Sequence, residues 1–86
     1  MIIMIRIVFD KGNNKSIAYD ENIEIGECNF IENNDFWNII HTEVNESHKG
    51  QGIARKLVEC IIENSKIYDK KLEATCSYAK KIICNI

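Results

Sequence analysis

Alternation of apolar and polar positions dominates the first half of the chain and predicts a β-sheet. Runs rich in Ile, Val, Phe and Tyr are separated by three clusters of Gly, Asn and Asp, residues that favour tight turns. This spacing is typical of strands joined by hairpin connections. The predicted strands are Ile2–Phe9, Ser16–Tyr19, Ile23–Ile31 and Phe36–Val44.

The third predicted strand changes phase at a glycine. Ile23 and Ile25 lie on one phase of the alternation, whereas Cys28 and Phe30, which follow Gly26, continue on the other. A shift by one residue indicates a β-bulge or a bend. We therefore expect the sheet to be curved at Gly26.

The hydrophobic period changes from two to 3.6 between Gly52 and Lys66, which predicts an amphipathic helix. Charged residues occupy one arc of this helix, and the other arc must be buried against the sheet. The apolar arc consists of Ile53, Ala54, Leu57, Val58, Cys60, Ile61 and Ile62.

A fifth strand, Lys71–Thr75, and a short helix, Ser77–Ile83, are predicted after the long helix. A strand, a helix and a strand in succession form a crossover, so the fourth and fifth strands should be parallel and the connection right-handed. The chain is therefore predicted to be a single α+β domain spanning residues 1–86. Its sheet is mostly antiparallel, with a parallel β-α-β crossover near the end.

Composition and charge exclude several function classes. Hydrophobic residues make up 45% of the chain and charged residues 28%, which indicates a folded globular protein. The net charge of −2 provides no general basic surface for a nucleic acid, so any anion site must be local. No run approaches the ~20 apolar residues of a membrane span. The apolar start contains Arg6 and lacks a cleavage site for a signal peptide.

The four cysteines, Cys28, Cys60, Cys76 and Cys84, contain no C-x-x-C pair, and the two histidines do not complete a zinc-ligand spacing. No metal site is predicted. We expect a cytoplasmic protein with free thiols, a monomer or a weak dimer, with neither a nucleic acid nor a membrane as partner.

A glycine-containing loop leads directly into the long helix. The segment is Lys49-Gly50-Gln51-Gly52-Ile53-Ala54. The first turn of a helix has backbone N–H groups without internal partners and carries the positive end of the helix dipole, so it can bind an anion. A Walker A sequence is absent, and Arg55 occupies the last glycine position of the dinucleotide fingerprint. Alternatively, the two glycines only form a tight turn.

Three segments together are similar to the small, single-domain branch of the GNAT N-acetyltransferase superfamily. They are His41-Thr42-x-Val44, the glycine loop continued to Leu57-Val58, and Cys76-Ser77-Tyr78. The resemblance implies a minimal GNAT-like fold, acetyl-CoA as co-substrate and an amine, not identified, as acceptor. Lys49 stands where the superfamily usually has Gln or Arg. The residues that the resemblance assigns to cofactor binding are Val44, Lys49, Gly50, Gln51, Gly52, Ile53 and Ala54.

The resemblance also implies the catalytic residues. Tyr78 occupies the position of the acid that protonates the departing thiolate. Cys76 resembles a cysteine placed beside the acetyl group, either as transient acceptor or as pocket wall. His41, which alternates with Ile39 and Glu43 along the fourth strand, is a candidate base acting through water. Each has a plainer alternative, because tyrosine and cysteine can simply pack and a strand histidine can be partly exposed.

Larger members of the superfamily carry acceptor-binding helices between the first two strands. The connection from Asp10 to Asn14 is too short for them, so the acceptor side should be open. Three functions remain compatible with the sequence: an acyltransferase, a CoA-binding module without turnover, and a small interaction domain in which the glycines form only a turn.

Overall fold

The computed structural model describes residues 4–84, which form a five-stranded sheet and two α-helices. The elements in chain order are β1 (Ile5–Asp10), β2 (Lys15–Asp20), β3 (Ile23–Glu32), β4 (Phe36–Val44), α1 (Ile53–Ile67), β5 (Lys71–Ala74) and α2 (Ser77–Cys84). Two 3₁₀ turns, Lys11–Asn13 and Glu46–His48, lie in the connections before β2 and α1.

The strand order is β1-β2-β3-β4-β5, with antiparallel neighbours up to β4 and a parallel β4–β5 pair. The predicted α+β class and the parallel crossover are therefore confirmed. Predicted element ends agree with the structure to within one residue, apart from the predicted start of β1 at Ile2, which lies outside the described residues. Hydrophobic periodicity was a strong signal here because β3, the first half of β4 and α1 are each buried mainly on one face. In β2 the signal is weaker, since Ser16, Ile17 and Ala18 are all buried.

The bulge predicted at Gly26 is present one residue earlier. Ala18 of β2 lies opposite Gly26, but Tyr19 lies opposite Glu24, which leaves Ile25 as the extra residue. Ile25 and Gly26 are consequently both buried. A β-bulge is therefore the cause of the phase change in the hydrophobic pattern, as predicted.

A second bulge, which the sequence pattern did not indicate, interrupts β4. Asn29 of β3 pairs with His41, whereas Phe30 pairs with Ile39, so Ile40 is the extra residue. A bulge reverses which face the following side chains point to. The second half of β4 therefore has the opposite phase to the first half.

Both helices pack against the same face of the sheet. The buried side of α1 consists of Ile53, Leu57, Val58, Ile61, Ile62 and Ser65. Ala79 and Ile82 of α2 join the same core, in which Trp37 is fully buried and its ring lies 4.4 Å from that of Phe30. Within residues 4–84, no helix is long and apolar enough to cross a membrane.

Gly26 of β3 lies close to both β4 and α1. A Cβ atom at this position would be 2.8 Å from the backbone oxygen of Glu43 and 3.3 Å from Cδ1 of Leu57. Backbone atoms cannot move aside cheaply, so overpacking should cost about 2 kcal/mol. We expect Gly26→Ala to lower the free energy of unfolding by that amount in urea denaturation.

Gly12 provides the matched control for this substitution. A Cβ atom on Gly12 would be in ordinary contact, 3.6 Å from Oδ1 of Asp10. Gly12→Ala should therefore change the free energy of unfolding by less than about 0.5 kcal/mol. Equal midpoints for Gly26→Ala and Gly12→Ala would contradict the close approach at Gly26.

Candidate functional site

Two glycines adopt the left-handed backbone region immediately before α1. Gly50 has φ 81° and Gly52, the N-cap of α1, has φ 77°. A Cβ atom at either position would have no protein atom within 4 Å among the described residues, so the space beside both glycines is open to a ligand. Because no side chain within residues 4–84 caps α1, the first N–H groups of the helix are left for other acceptors.

The glycine loop borders a cavity of about 460 Å³. The lining residues are Thr42, Val44, His48, Lys49, Gly50, Gly52, Ile53, Ala54 and Tyr78. The cavity thus joins the end of β4, the start of α1 and the first turn of α2. Six of the seven residues predicted to bind the cofactor line this cavity. The seventh, Gln51, is exposed and does not line it.

The cavity forms because β4 extends beyond the end of β5, its parallel neighbour. Ladder pairing between β4 and β5 ends at Ile39 and Ala74. The backbone N–H groups of Thr75 and Cys76 both donate to the carbonyl oxygen of Ile39, at 3.0 and 3.2 Å. Beyond this point β4 continues to Val44 with no strand of residues 4–84 on that side, and the space between β4 and α2 is open.

Thr42 links two cysteines at the inner wall of the cavity. Its Oγ1 atom lies 3.3 Å from Sγ of Cys28 and 3.7 Å from Sγ of Cys76. The β4 bulge places Thr42 on the helix-covered face, where it pairs with Cys28 across the strands. Thr42 was not among the predicted site residues, and its period-two alternation with Val44 is the sequence signal that could have identified it.

The two thiols that flank Thr42 differ in acidity. Burial raises the pKa of the Cys28 thiol to about 12. Desolvation alone would also raise the pKa of Cys76, but hydrogen bonds from the N–H of Ala79, from Thr42 and from the N–H of Tyr78 outweigh it and lower that pKa. Cys76 immediately precedes α2, and its carbonyl oxygen accepts from the N–H of Lys80 at 3.0 Å. The helix start therefore favours the thiolate of Cys76.

Tyr78 lies in the first turn of α2 and contributes to the cavity wall. Its side chain is 41% exposed, so it is accessible to a ligand in the cavity as well as to water. Cys76 does not line the cavity. Its Sγ atom contacts Thr42, which does line it. The predicted residues Cys76 and Tyr78 are thus brought together beside one wall.

His41 is separate from these groups. The prediction that it shares a face with Ile39 is wrong, because the extra residue Ile40 turns His41 to the face that α1 and α2 leave uncovered. Its Nε2 atom lies 3.3 Å from Oε2 of Glu43, and the side chain is 55% exposed. His41 does not line the cavity, so the structure leaves the cavity without the base that the sequence suggested.

Lys49 and Arg55, two of the basic residues near the loop, form ion pairs with neighbouring acidic residues. Nζ of Lys49 lies 3.0 Å from Oε2 of Glu46, and Nε of Arg55 lies 3.3 Å from Oε2 of Glu59. Both pairs are largely exposed, so they are weak and can exchange for another anion. Lys49 lines the cavity, whereas Arg55 does not.

The comparison with protein families gives a match over most of the chain. The family described as GCN5-related N-acetyl-transferase matches residues 15–85. The matched region includes the glycine loop, Thr42, Cys76 and Tyr78. No protein of curated function matches the chain significantly.

Several solved structures are similar in fold. A GCN5-like protein from Staphylococcus aureus, solved by NMR, is 30% identical, with a TM-score of 0.70 over 93% of this chain and 78% of that chain. A GNAT family acetyltransferase from Elizabethkingia anophelis with acetyl-CoA bound is 21% identical, with a TM-score of 0.66 over 83% of this chain. The ribosomal-protein-alanine N-acetyltransferase from Brucella melitensis biovar Abortus 2308 is 17% identical, with a TM-score of 0.65 over 83% of this chain. The chain spans 50% of the Elizabethkingia protein and 60% of the Brucella protein.

Proposed function

Because the chain belongs to the GCN5-related N-acetyltransferase family, we propose that it binds acetyl-CoA in the cavity beside the glycine loop and transfers the acetyl group to an amine. The observation that carries this proposal is the opening between β4 and α2. It extends from free amides at the start of α1 to Tyr78, and so offers one anion site and one acid along a single wall.

The glycine loop fits a pyrophosphate. Open space at the Cβ positions of Gly50 and Gly52 lets phosphate oxygens approach the backbone N–H groups from Gly50 to Ala54. Lys49 adds a charge that can leave Glu46 for the phosphate. Val44 and Ile53 supply apolar contacts at the same wall.

The proposed chemistry needs a neutral amine, a donor for the developing oxyanion and an acid for the thiolate of CoA. Tyr78 is our candidate for the acid, because it lines the cavity and its phenol hydroxyl can donate a proton. Thr42 lines the cavity with Tyr78, and Thr42 in turn contacts Cys76. Water is the proposed acceptor of the amine proton, because His41 does not line the cavity.

A second candidate function is acetyl-CoA binding without turnover. The short Lys11–Asn13 turn between β1 and β2 leaves the acceptor side without helices, and the exposed His41 offers no base in the cavity. Such a module would bind acetyl-CoA at the same loop but release no CoA with any amine.

Titration of isotope-labelled protein with acetyl-CoA tests the proposed site. The largest amide shifts are expected from Gly50 to Ala54 and at Thr42 and Tyr78. Shifts concentrated in the Asn33–Asp35 turn would contradict the site assignment. Release of free CoA thiol with a panel of amines then separates the enzyme from the binding module.

Lys49→Ala is expected to weaken acetyl-CoA binding by about 1–2 kcal/mol, toward the lower end for a charge-assisted hydrogen bond because the Lys49 side chain is exposed. The loss should shrink when the salt concentration rises from about 0.05 to about 0.5 M, because the Lys49 side chain is exposed and its charge is screened. Lys66→Ala, in the last turn of α1, is the matched control and should leave the dissociation constant unchanged. An unchanged constant for Lys49→Ala at low salt would exclude Lys49 from the phosphate site.

A further inference from the structure

A partly buried contact connects the glycine loop to the antiparallel half of the sheet. Nε2 of His48, in the 3₁₀ turn before the loop, lies 2.8 Å from Oδ2 of Asp20 at the end of β2. Nδ1 of the same ring lies 2.8 Å from Oγ of Ser47. A carboxylate accepts hydrogen bonds, so Nε2 carries a hydrogen and donates it to Asp20. The His48 side chain is 16% exposed and forms part of the cavity wall.

The loop has few other attachments. Hydrogen bonds from the N–H groups of His48 and Lys49 go to Asn45 and Glu46, within the same turn. Among residues 4–84, the Asp20–His48 contact is the one hydrogen bond between residues 46–52 and a strand. The rest of this segment contains two glycines, which have the largest backbone freedom.

We infer that Asp20 is a positioning residue for cofactor binding, which acts through His48 to hold the glycine loop in the conformation that receives the pyrophosphate. Asp20 does not line the cavity and would touch no cofactor atom. The inference rests on the proposed function, because the phosphates of acetyl-CoA are the ligand. Holding a flexible loop in its bound conformation improves affinity by lowering the ordering entropy that binding must overcome.

The sign of the effect separates this role from simple electrostatics. The Asp20 carboxylate is a negative charge near a site for a strongly anionic ligand, so its removal should tighten binding if charge alone mattered. Loss of the tether, the hydrogen bond between Asp20 and His48, should weaken binding instead. A positioning role therefore predicts that removing a negative charge lowers the affinity for an anion, which is opposite to the direct effect of the Asp20 charge.

The test compares Asp20→Ala with Glu24→Ala by measuring the dissociation constant for acetyl-CoA calorimetrically. Glu24 is an exposed carboxylate on β3, close to the same hairpin turn, and it has no hydrogen bond to the loop among the described residues. We expect Asp20→Ala to raise the dissociation constant about tenfold, the scale of an ordering cost for one short loop. Glu24→Ala should leave it unchanged or lower it slightly. The Asp20→Ala loss should persist at about 0.5 M salt, where charge effects are screened.

His48→Ala and the double variant complete the test. If Asp20 acts through His48, adding Asp20→Ala to His48→Ala should cause no further loss of affinity. His48→Ala also reports on the tether if Asp20→Ala fails to fold, because His48 lies in a turn and not in a strand. Amide spectra of the free Asp20→Ala protein should show shifts at Gly50 and Gly52, with the β5 and α2 signals unchanged.

A folded Asp20→Ala protein that binds acetyl-CoA as tightly as the wild type, or more tightly, would overturn the inference. So would additive losses in the double variant. These outcomes differ from a failure of the proposed function, in which the wild-type protein itself would not bind acetyl-CoA.

Discussion

Replacing Gly52 with valine is expected to raise the dissociation constant for acetyl-CoA by ~10²-fold, as estimated from the loss of about two charge-assisted hydrogen bonds. The Cβ position of Gly52 points into open space, with no protein atom within 4 Å among residues 4–84. A branched side chain there would extend from this open position into the volume through which the phosphate must approach the amides. The measurement is a titration with acetyl-CoA followed by calorimetry.

Backbone strain must be separated from this steric effect. Gly52 has φ 77°, a conformation that costs a residue with a side chain roughly 1–2 kcal/mol. Asp69, after α1, has φ 56° and does not line the cavity, so Asp69→Val introduces similar strain away from the proposed site. Both variants should lose similar stability in urea denaturation, and only Gly52→Val should lose affinity. Wild-type affinity in Gly52→Val would show that the phosphates bind elsewhere.

Tyr78→Phe is expected to lower kcat by ~10²-fold, the usual scale for losing a general acid. The substitution removes one oxygen atom and keeps the ring at the cavity wall, so the dissociation constant for acetyl-CoA should stay within about threefold of the wild type. The measurement is release of free CoA thiol with an amine that the wild-type protein acetylates. Tyr68→Phe is the matched control, because Tyr68 is similarly exposed, at 47% against 41%, and does not line the cavity.

Cys76 distinguishes direct transfer from a covalent route. Direct transfer predicts that Cys76→Ala retains turnover within about tenfold, because the amine attacks the thioester of CoA itself. A covalent route predicts that Cys76→Ala abolishes turnover, and that an acetyl adduct on Cys76 forms and decays at least as fast as turnover. The lowered pKa of Cys76 is compatible with the covalent route. We favour direct transfer, since a second thioester gains little driving force over the one in acetyl-CoA.

A kinetically competent adduct on Cys76 that passes its acetyl group to an added amine would overturn direct transfer. Absence of turnover with every amine, together with binding at the loop amides, would instead support the binding module. Wild-type turnover in Tyr78→Phe would remove Tyr78 from the role of acid while leaving the binding site intact.

Local sequence patterns determined the secondary structure and the order of the sheet. In β3 and in the first half of β4 buried and more exposed residues alternate, so a period of two is visible in the sequence, and the amphipathic period of α1 is equally clear. The parallel pairing of β4 and β5 follows from the crossover helix between them. The glycine loop was likewise visible, because Gly50 and Gly52 precede the helix directly.

Which side chains face the cavity depends on the register of the strands, and only the tertiary structure decided that register. The bulge at Ile40 turns His41 outward and Thr42 inward, and nothing in the composition of β4 marks that residue. Cys28 and Cys76 are 48 positions apart, yet both approach Thr42, because β3 and the start of α2 flank the same stretch of β4.

The contact between Asp20 and His48 has the same origin. In the sequence, Asp20 is one polar residue of a turn, and His48 is one polar residue of a loop. They meet because the fold places the end of β2 beside the 3₁₀ turn that follows β4. Periodicity encodes which side of an element is buried, whereas contacts between elements depend on how the whole sheet bends and where its strands end.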